Sequence, residues 1–225
     1  RSRAGIWKNW QDWAEKPHKR TTYAGYSAEV TKEMSSTAHT RRNASPAFTA
    51  AQVAEACGGT IAAGDPDAVG VGVSTDTRSI SPGRVFFALR GPNHDGHDFA
   101  ADAVESGAGL LVSERAPGQL RGAQGATVVQ VEDTRQALMR LAAWHRGRLE
   151  GRVVAVTGSC GKSTVKEMLG AVLSEHASCH VAPESFNNSV GVPLTLLNAR
   201  PEDEFVVLEL GANAPGEIDE LAACA

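Results

Sequence analysis

A short apolar run followed by a glycine-rich turn decides the fold: Val153-Val154-Ala155-Val156 leads into Thr157-Gly158-Ser159-Cys160-Gly161-Lys162-Ser163-Thr164. The β-branched run suits a buried parallel strand, and the residues from Lys162 to about Glu175 favour a helix. A strand, a glycine-rich turn and a helix in this order are typical of a phosphate-binding loop. The stretch therefore predicts an α/β domain that binds a nucleotide.

The residue types of this loop suit phosphate binding. Gly158 and Gly161 would let backbone N–H groups turn toward phosphate oxygens, and the following helix would add the positive end of its dipole. Lys162 would neutralise the β- and γ-phosphates, and the Ser163 hydroxyl would ligate magnesium. The predicted ATP-binding residues are Gly158, Ser159, Cys160, Gly161, Lys162, Ser163 and Thr164.

Strands and helices alternate on both sides of the loop, which favours parallel sheets covered by helices. Residues 46–148 predict a small α/β domain, and residues 149–225 predict part of a doubly wound, mainly parallel P-loop domain. About 30 residues per βαβ unit make the second domain incomplete, and we expect an exposed apolar sheet edge at 205–210. The predicted strands are Val69–Thr75, Val85–Leu89, Leu110–Ser113, Thr127–Val131, Val153–Val156, Cys179–Ala182 and Phe205–Leu210; helices are predicted to open at Thr49, Asp98, Asp133, Lys162 and about Ser189.

Composition narrows the class of protein. The 225 residues carry 22 Lys plus Arg against 26 Asp plus Glu, and the excess of basic side chains is confined to the amino-terminal part. A nucleic-acid-binding protein would normally carry a basic domain. No run approaches the roughly 18 uncharged apolar residues of a membrane span. Four cysteines without regular spacing indicate neither a disulfide framework nor a zinc site, so we expect a cytoplasmic protein.

Residues 1–45 differ from the remainder and predict a disordered or non-native extension. They lack a sustained strand or helix period and are rich in Lys, Arg, Ser and Thr. Trp7, Trp10 and Trp13 could line a short helix that binds a partner or a membrane surface. Alternatively, Met34 is the true start and residues 1–33 are upstream sequence.

The loop departs from the common Walker A pattern, because Val156 stands where its first glycine would be. Its form, T-G-[ST]-x-G-K-[ST]-T, resembles the ATP-binding loop of the Mur ligase superfamily. The run Glu209-Leu210-Gly211-Ala212-Asn213 resembles the signature of the branch that adds D-alanyl-D-alanine. Residues 186–194, 74–78 and 95–99 resemble the same branch, so the resemblance covers about 48–221.

The resemblance implies a ligase that uses ATP and Mg2+ to join D-alanyl-D-alanine to UDP-N-acetylmuramoyl-tripeptide through an acyl phosphate. It implies a monomer with no nucleic-acid or membrane partner. It also implies that Lys162 and Glu209 are catalytic, that Ser163 and Glu209 hold magnesium, and that the first domain holds the uridine nucleotide. The substrate-binding residues that it implies are Thr77, Arg78, Asn93, His94, Asp95, Gly96 and His97, with Asn187 and Asn188 near the sugar or phosphates.

Several alternatives stay open. The chain could be a noncatalytic UDP-sugar-binding module, or belong to the diaminopimelate- or lysine-adding branch of the superfamily. A P-loop GTPase would need an N-K-x-D segment, which the sequence lacks. The resemblance implies a carboxyl-terminal domain and a second magnesium site beyond Ala225, so we expect an amino-terminal fragment that is inactive alone.

Two side-chain features allow a further interpretation. His94, His97 and Asp98 could be read as a metal cluster by their spacing, although a loop followed by an N-capping Asp98 accounts for the same residues. Cys160 lies in the loop beside a helix N-terminus and near a lysine, surroundings typical of a reactive thiol. One hypothesis is that Cys160 is alkylated or oxidised faster than the other three cysteines, with loss of ATP binding; the alternative is that Cys160 has no functional role.

Overall fold

The computed structural model describes residues 45–183 and 185–225. The predictions for Trp7, Trp10, Trp13 and Met34 lie outside these residues. The first part is built on a five-stranded sheet with a small two-stranded ribbon beside it. Its elements in chain order are β1 (Ala47–Thr49), α1 (Ala50–Cys57), β2 (Thr60–Ala63), β3 (Val69–Val71), β4 (Val73–Ser74), β5 (Val85–Phe87), α2 (Ala100–Glu105), β6 (Leu110–Ser113), β7 (Val128–Gln130) and α3 (Thr134–Arg146).

The strand order of the five-stranded sheet is β2-β7-β6-β5-β4. Strands β4 to β7 are parallel, and β2 closes one edge antiparallel to β7. The ribbon pairs β1 with β3 antiparallel. The crossover from β5 to β6 carries α2. Strands β5 and β6 are buried along their whole length, as is typical of parallel strands covered on both faces.

The second part is a three-stranded parallel sheet with the order β8-β10-β9. The two sheets confirm the predicted α/β class with parallel strands. The elements of this part are β8 (Arg152–Val156), α4 (Lys162–Ser174), β9 (Cys179–Val181), α5 (Gly191–Asn198), β10 (Phe205–Glu209) and α6 (Glu217–Cys224). None of the described helices is long and apolar enough to cross a bilayer.

The expected exposed edge at 205–210 is wrong. The crossovers insert β10 between β8 and β9, so Val206, Val207 and Leu208 are fully buried. Apolar surface is exposed instead on α4, where Val165, Met168 and Val172 are 46%, 64% and 63% accessible. These three residues recur at helical spacing and form one outward stripe.

Two further predictions need correction. The single strand expected over Val69–Thr75 is interrupted at Gly72, whose φ of 66° turns the chain away from the ribbon and into the main sheet. The helix expected to open at Asp98 begins later, at Ala100, and is preceded by a 3-10 turn over Gly96–Phe99. Asp95 caps that turn by accepting from the His97 amide, because the carboxylate two residues earlier is the one within reach.

The predicted opening of a helix at Thr49 is confirmed by α1. Thr49 and Gln52 form a reciprocal capping box, and Gly58 ends the helix in the left-handed conformation. The short strands β1 and β2 and the helix α6 were not predicted from the sequence.

A buried joint connects the two sheets. Helix α3 packs against α5, and the apolar core runs continuously from the first part into the second. His145 lies in this joint, with its Nε2 2.9 Å from the Ala199 carbonyl oxygen, and burial lowers its pKa. The Asn198 side chain accepts from Arg84 at 2.7 Å and donates to the Val73 carbonyl at 3.3 Å. The two parts therefore hold their functional loops in a fixed relation.

Candidate functional site

The predicted phosphate loop follows the carboxyl end of β8 and leads directly into α4. The amide of Leu210 donates to the Val156 carbonyl at 2.8 Å, and the Thr157 hydroxyl donates to the Leu210 carbonyl at 3.0 Å. These bonds fix the start of the loop to the end of the neighbouring strand β10. The edge where both parallel strands end is a common position for ligands in open α/β sheets.

Two glycines shape the loop. Gly158 has a φ of 150° and Gly161 a φ of 75°, both unfavourable for residues that carry a Cβ. A Cβ on Gly161 would meet nothing within 4 Å, so glycine is favoured at this position by its backbone conformation and not by lack of space. Lys162 is the first residue of α4, and its Nζ donates to the Gly158 carbonyl at 2.8 Å. The Lys162 ammonium group thus lies against the backbone of the phosphate loop.

Glu209 ends β10 beside this loop and is only 4% exposed. Its Oε1 accepts from the Asn187 side-chain amide at 3.0 Å. Burial opposes ionisation of Glu209. The Asn187 hydrogen bond, the nearby Ser163 hydroxyl and the positive charges of Lys166 and Lys162 outweigh burial, so the pKa of this carboxyl lies below its ordinary value. The structure therefore brings together an ionised carboxylate and a hydroxyl, two hard oxygen donors of the kind that magnesium prefers.

Sequence reasoning missed a second lysine on α4. Lys166 is 1% exposed, and its Nζ donates to the Ala182 carbonyl at 2.8 Å and lies 2.9 Å from Glu167 Oε1. It thereby connects α4 to the segment that leads to Asn187. The one signal in the sequence was its position four residues after Lys162, which puts both lysines on the same side of the helix.

A cavity of about 550 Å³ lies on the first part, at the ends of β4 and β5. Of the residues expected to face the uridine nucleotide, Thr77, Arg78, His94 and Gly96 line it, whereas Asn93, Asp95 and His97 do not. Arg78 forms a two-pronged ion pair with Asp76, which also caps the turn at Thr77–Ser79. Further lining residues are Thr75, Phe86, Leu89, Arg90, Gly91, Phe99, Arg135 and Val190.

Asp95 and His97 belong to a hydrogen-bonded network beneath the cavity. His97 is buried, its Nδ1 bonds to Asp95, and its Nε2 accepts from the Glu114 amide. Asp95 and Asp98 both pair with Arg115. In the metal-cluster interpretation of His94, His97 and Asp98, both nitrogens of His97 are thus already engaged by protein groups. Among the described residues no group of three or more His, Cys, Asp or Glu side chains is arranged to hold a metal.

Asn187 and Asn188 lie on the segment between β9 and α5, and each has a partner. Asn187 bonds to Glu209, and its carbonyl accepts from the Gly211 amide at 2.7 Å. Asn188 Oδ1 accepts from the amides of Val190 and Gly191 at 3.0 Å, which caps the start of α5. Asn188 also lines a smaller cavity of about 240 Å³. The other residues that line the smaller cavity are Arg135, Ser189, Gly211, Asn213, Glu217, Glu220 and Leu221.

Known protein families match most of the described chain. Residues 71–146 match the Mur ligase family, catalytic domain, and residues 156–225 match the Mur ligase middle domain. A UDP-N-acetylmuramoyl-tripeptide--D-alanyl-D-alanine ligase of Escherichia coli is 47% identical over 146 residues, which are 65% of this chain and 31% of the relative. The ligase of the same name from Bacillus subtilis is 40% identical over 154 residues, 68% of this chain and 33% of that relative.

Solved structures agree with these relatives. A MurF crystal structure from Acinetobacter baumannii superposes with a TM-score of 0.71 at 37% identity, covering 79% of this chain and 39% of that chain. MurF ligase from Thermotoga maritima in complex with ADP gives a TM-score of 0.59 at 34% identity, covering 68% of this chain and 35% of that chain. The chain thus spans about a third of the length of the proteins that it resembles.

Proposed function

The chain belongs to the Mur ligase family, and on that premise we propose that it is part of an ATP-dependent ligase that adds D-alanyl-D-alanine to UDP-N-acetylmuramoyl-tripeptide. The observation that carries the proposal is the cluster of Ser163, Asn187 and Glu209 beside the glycine-rich loop. The names and identities of the relatives support the choice of substrates.

The proposed reaction has two steps. The terminal carboxylate of the tripeptide attacks the γ-phosphorus of ATP, which gives an acyl phosphate and releases ADP. The amine of D-alanyl-D-alanine then attacks the acyl carbon, and phosphate leaves. Both steps depend on positioning and charge neutralisation more than on covalent help from the protein. Lys162 supplies a positive charge for the transferring phosphoryl group, and backbone N–H groups of the loop bind the adjacent phosphate groups of ATP.

Magnesium fits the donor set at the loop. Ser163 and Glu209 offer a hydroxyl and an ionised carboxylate near each other, and Asn187 orients the carboxylate through its amide. Ser163 and Glu209 would hold a magnesium ion. The bound ion would supply positive charge that offsets the negative charge of the phosphates.

The larger cavity is the proposed uridine nucleotide site. Thr77 and Arg78 line it, and its mixed apolar and polar walls suit a nucleoside. The sugar and its peptide would extend toward Asn187 and Asn188. The cytoplasmic location and the monomeric state expected from the sequence stay predictions.

Coupled measurement of phosphate release and product mass tests this proposal. The gene product that carries this sequence is incubated with ATP and Mg2+ and with one of two substrate pairs. The first pair is UDP-N-acetylmuramoyl-tripeptide with D-alanyl-D-alanine, and the second is the shorter UDP-linked dipeptide with a single diamino acid. We expect phosphate release and a new amide only with the first pair. Product with diaminopimelate or lysine, acting on the shorter UDP-linked dipeptide, would assign the protein to another branch. UDP-sugar binding without ATP turnover would leave only a binding module.

A further inference from the structure

Arg135 lies where the two cavities meet. It is the residue that lines both the cavity of about 550 Å³ and the cavity of about 240 Å³, within the part of the chain that the structure describes. It sits in the first turn of α3, two residues after the N-cap Asp133. The smaller cavity leads to Gly211 and Asn213, the residues that follow Glu209 at the end of β10. A substrate that extends from the larger cavity into the smaller one would therefore pass Arg135.

The arginines that line the larger cavity differ in whether an acidic side chain lies beside them. Arg78 is paired with Asp76, and Arg90 lies 3.4 Å from Glu114 and 3.5 Å from Asp95. Arg135 forms no ion pair with any residue that the structure describes. Its guanidinium is exposed and has one hydrogen bond to a side chain, from Nη1 to Ser189 Oγ at 2.9 Å. A guanidinium carries five N–H donors, so most of the donors of Arg135 remain available for an anion.

The position and the available donors suit a phosphate group. Arg binds phosphate oxygens through two parallel N–H donors, which fixes orientation as well as charge. Ser189, the partner of Arg135, is two residues from Asn187, whose amide bonds to Glu209. A ligand held by Arg135 is thereby connected through one short segment to the carboxylate at the loop.

We propose that Arg135 binds the diphosphate of the uridine nucleotide where it leaves the larger cavity, and that it sets the direction of the sugar-peptide arm toward the glycine-rich loop. The proposal rests on the proposed function and extends it by assigning the diphosphate contact to a residue that is not among the substrate-binding residues implied by the resemblance. Arg135 is then a binding residue for the anionic part of the substrate and is not required for the nucleoside.

Calorimetric titration with UDP and with uridine separates these two roles. Arg135→Gln should weaken UDP binding about 10-fold or more, the range for a hydrogen-bonded charge, and leave uridine binding unchanged. Arg135→Lys should recover part of the loss, because a lysine keeps the charge without the fork. The matched control is Arg140→Gln on the same helix, since Arg140 contacts the Cys57 carbonyl and lines neither cavity. The control should bind both ligands as the wild type does.

The other outcomes distinguish failure of this proposal from failure of the proposed function. UDP affinity unchanged in Arg135→Gln would overturn the diphosphate assignment. Equal loss of UDP and uridine affinity would overturn it as well, because Arg135 would then shape the nucleoside site. If the wild type binds ADP but no UDP, the Arg135 proposal fails and the nucleotide loop stands. If it binds neither, the proposed function fails too.

Discussion

Two lysines on α4 allow the roles of binding and folding to be separated. Lys166→Met removes the buried ammonium that donates to the Ala182 carbonyl, a group whose residue is 2% exposed. A buried acceptor left without its donor costs about 1–3 kcal/mol. Removal of the buried charge offsets part of this cost, because the charge no longer has to be desolvated. The ion-pair partner Glu167 is exposed, so its carboxylate can be hydrated instead. We therefore expect the free energy of unfolding to fall by about 1–2 kcal/mol.

Lys162→Met is the matched control, with the same substitution four residues earlier. Lys162 is bonded only to the carbonyl of its own loop and lies in a more exposed position, so its loss should change unfolding little while ADP affinity falls sharply. Urea unfolding followed by far-UV circular dichroism gives the first quantity, and calorimetric titration with ADP gives the second. A Lys166→Met chain as stable as the wild type would refute the reasoning, since the buried ammonium would then contribute no net stability.

Three other perturbations follow from the same structure. Gly151→Ala puts a Cβ 2.0 Å from a backbone carbonyl oxygen just before β10. Urea unfolding should therefore show a free energy of unfolding lower by about 1–3 kcal/mol. The control Gly118→Ala, whose Cβ would meet nothing within 4 Å, should leave it unchanged. Cys160 is exposed and Cys57 is buried with its pKa raised to about 12, so peptide mapping after brief iodoacetamide treatment should find Cys160 labelled first and protected by ADP; equal labelling would contradict this. Because the pKa of Glu209 is lowered in the folded chain, its ionised form stabilises the fold above its ordinary pKa, and this contribution is lost as the pH falls through the lower folded value. Glu209→Gln should therefore destabilise the chain at pH 7 and approach the wild type in acid, and an equal difference at both pH values would count against it.

The sequence predicts the loop and its flanking elements well because their signals are local. A β-branched run, two glycines and a lysine specify a strand, a turn and a helix within residues 153–175, and the structure has β8 and α4 there. Glu209 could also be placed beside the loop, since the carboxyl ends of parallel strands meet at one edge of the sheet.

Features that depend on long-range arrangement could not be predicted in the same way. The order of the strands put β10 in the centre of its sheet, and no local pattern in residues 205–210 distinguishes a central strand from an edge strand. Lys166 looked like an ordinary helical lysine, and its burial follows from how α4 packs near the segment after β9. Asp98 and Asp95 are equally good cap residues by type, and only the position of the 3-10 turn decides between them.

Magnesium-dependent ADP binding tests most directly whether the loop and Glu209 form one nucleotide site. Calorimetric titration compares the wild type, Glu209→Gln and the control Glu220→Gln, an exposed acid on α6, each with magnesium and with chelator. We predict that magnesium strengthens ADP binding to the wild type and the control, and that Glu209→Gln keeps only the weaker, metal-free affinity. If magnesium strengthens binding equally in Glu209→Gln, Glu209 is not a metal ligand and the proposed site is wrong.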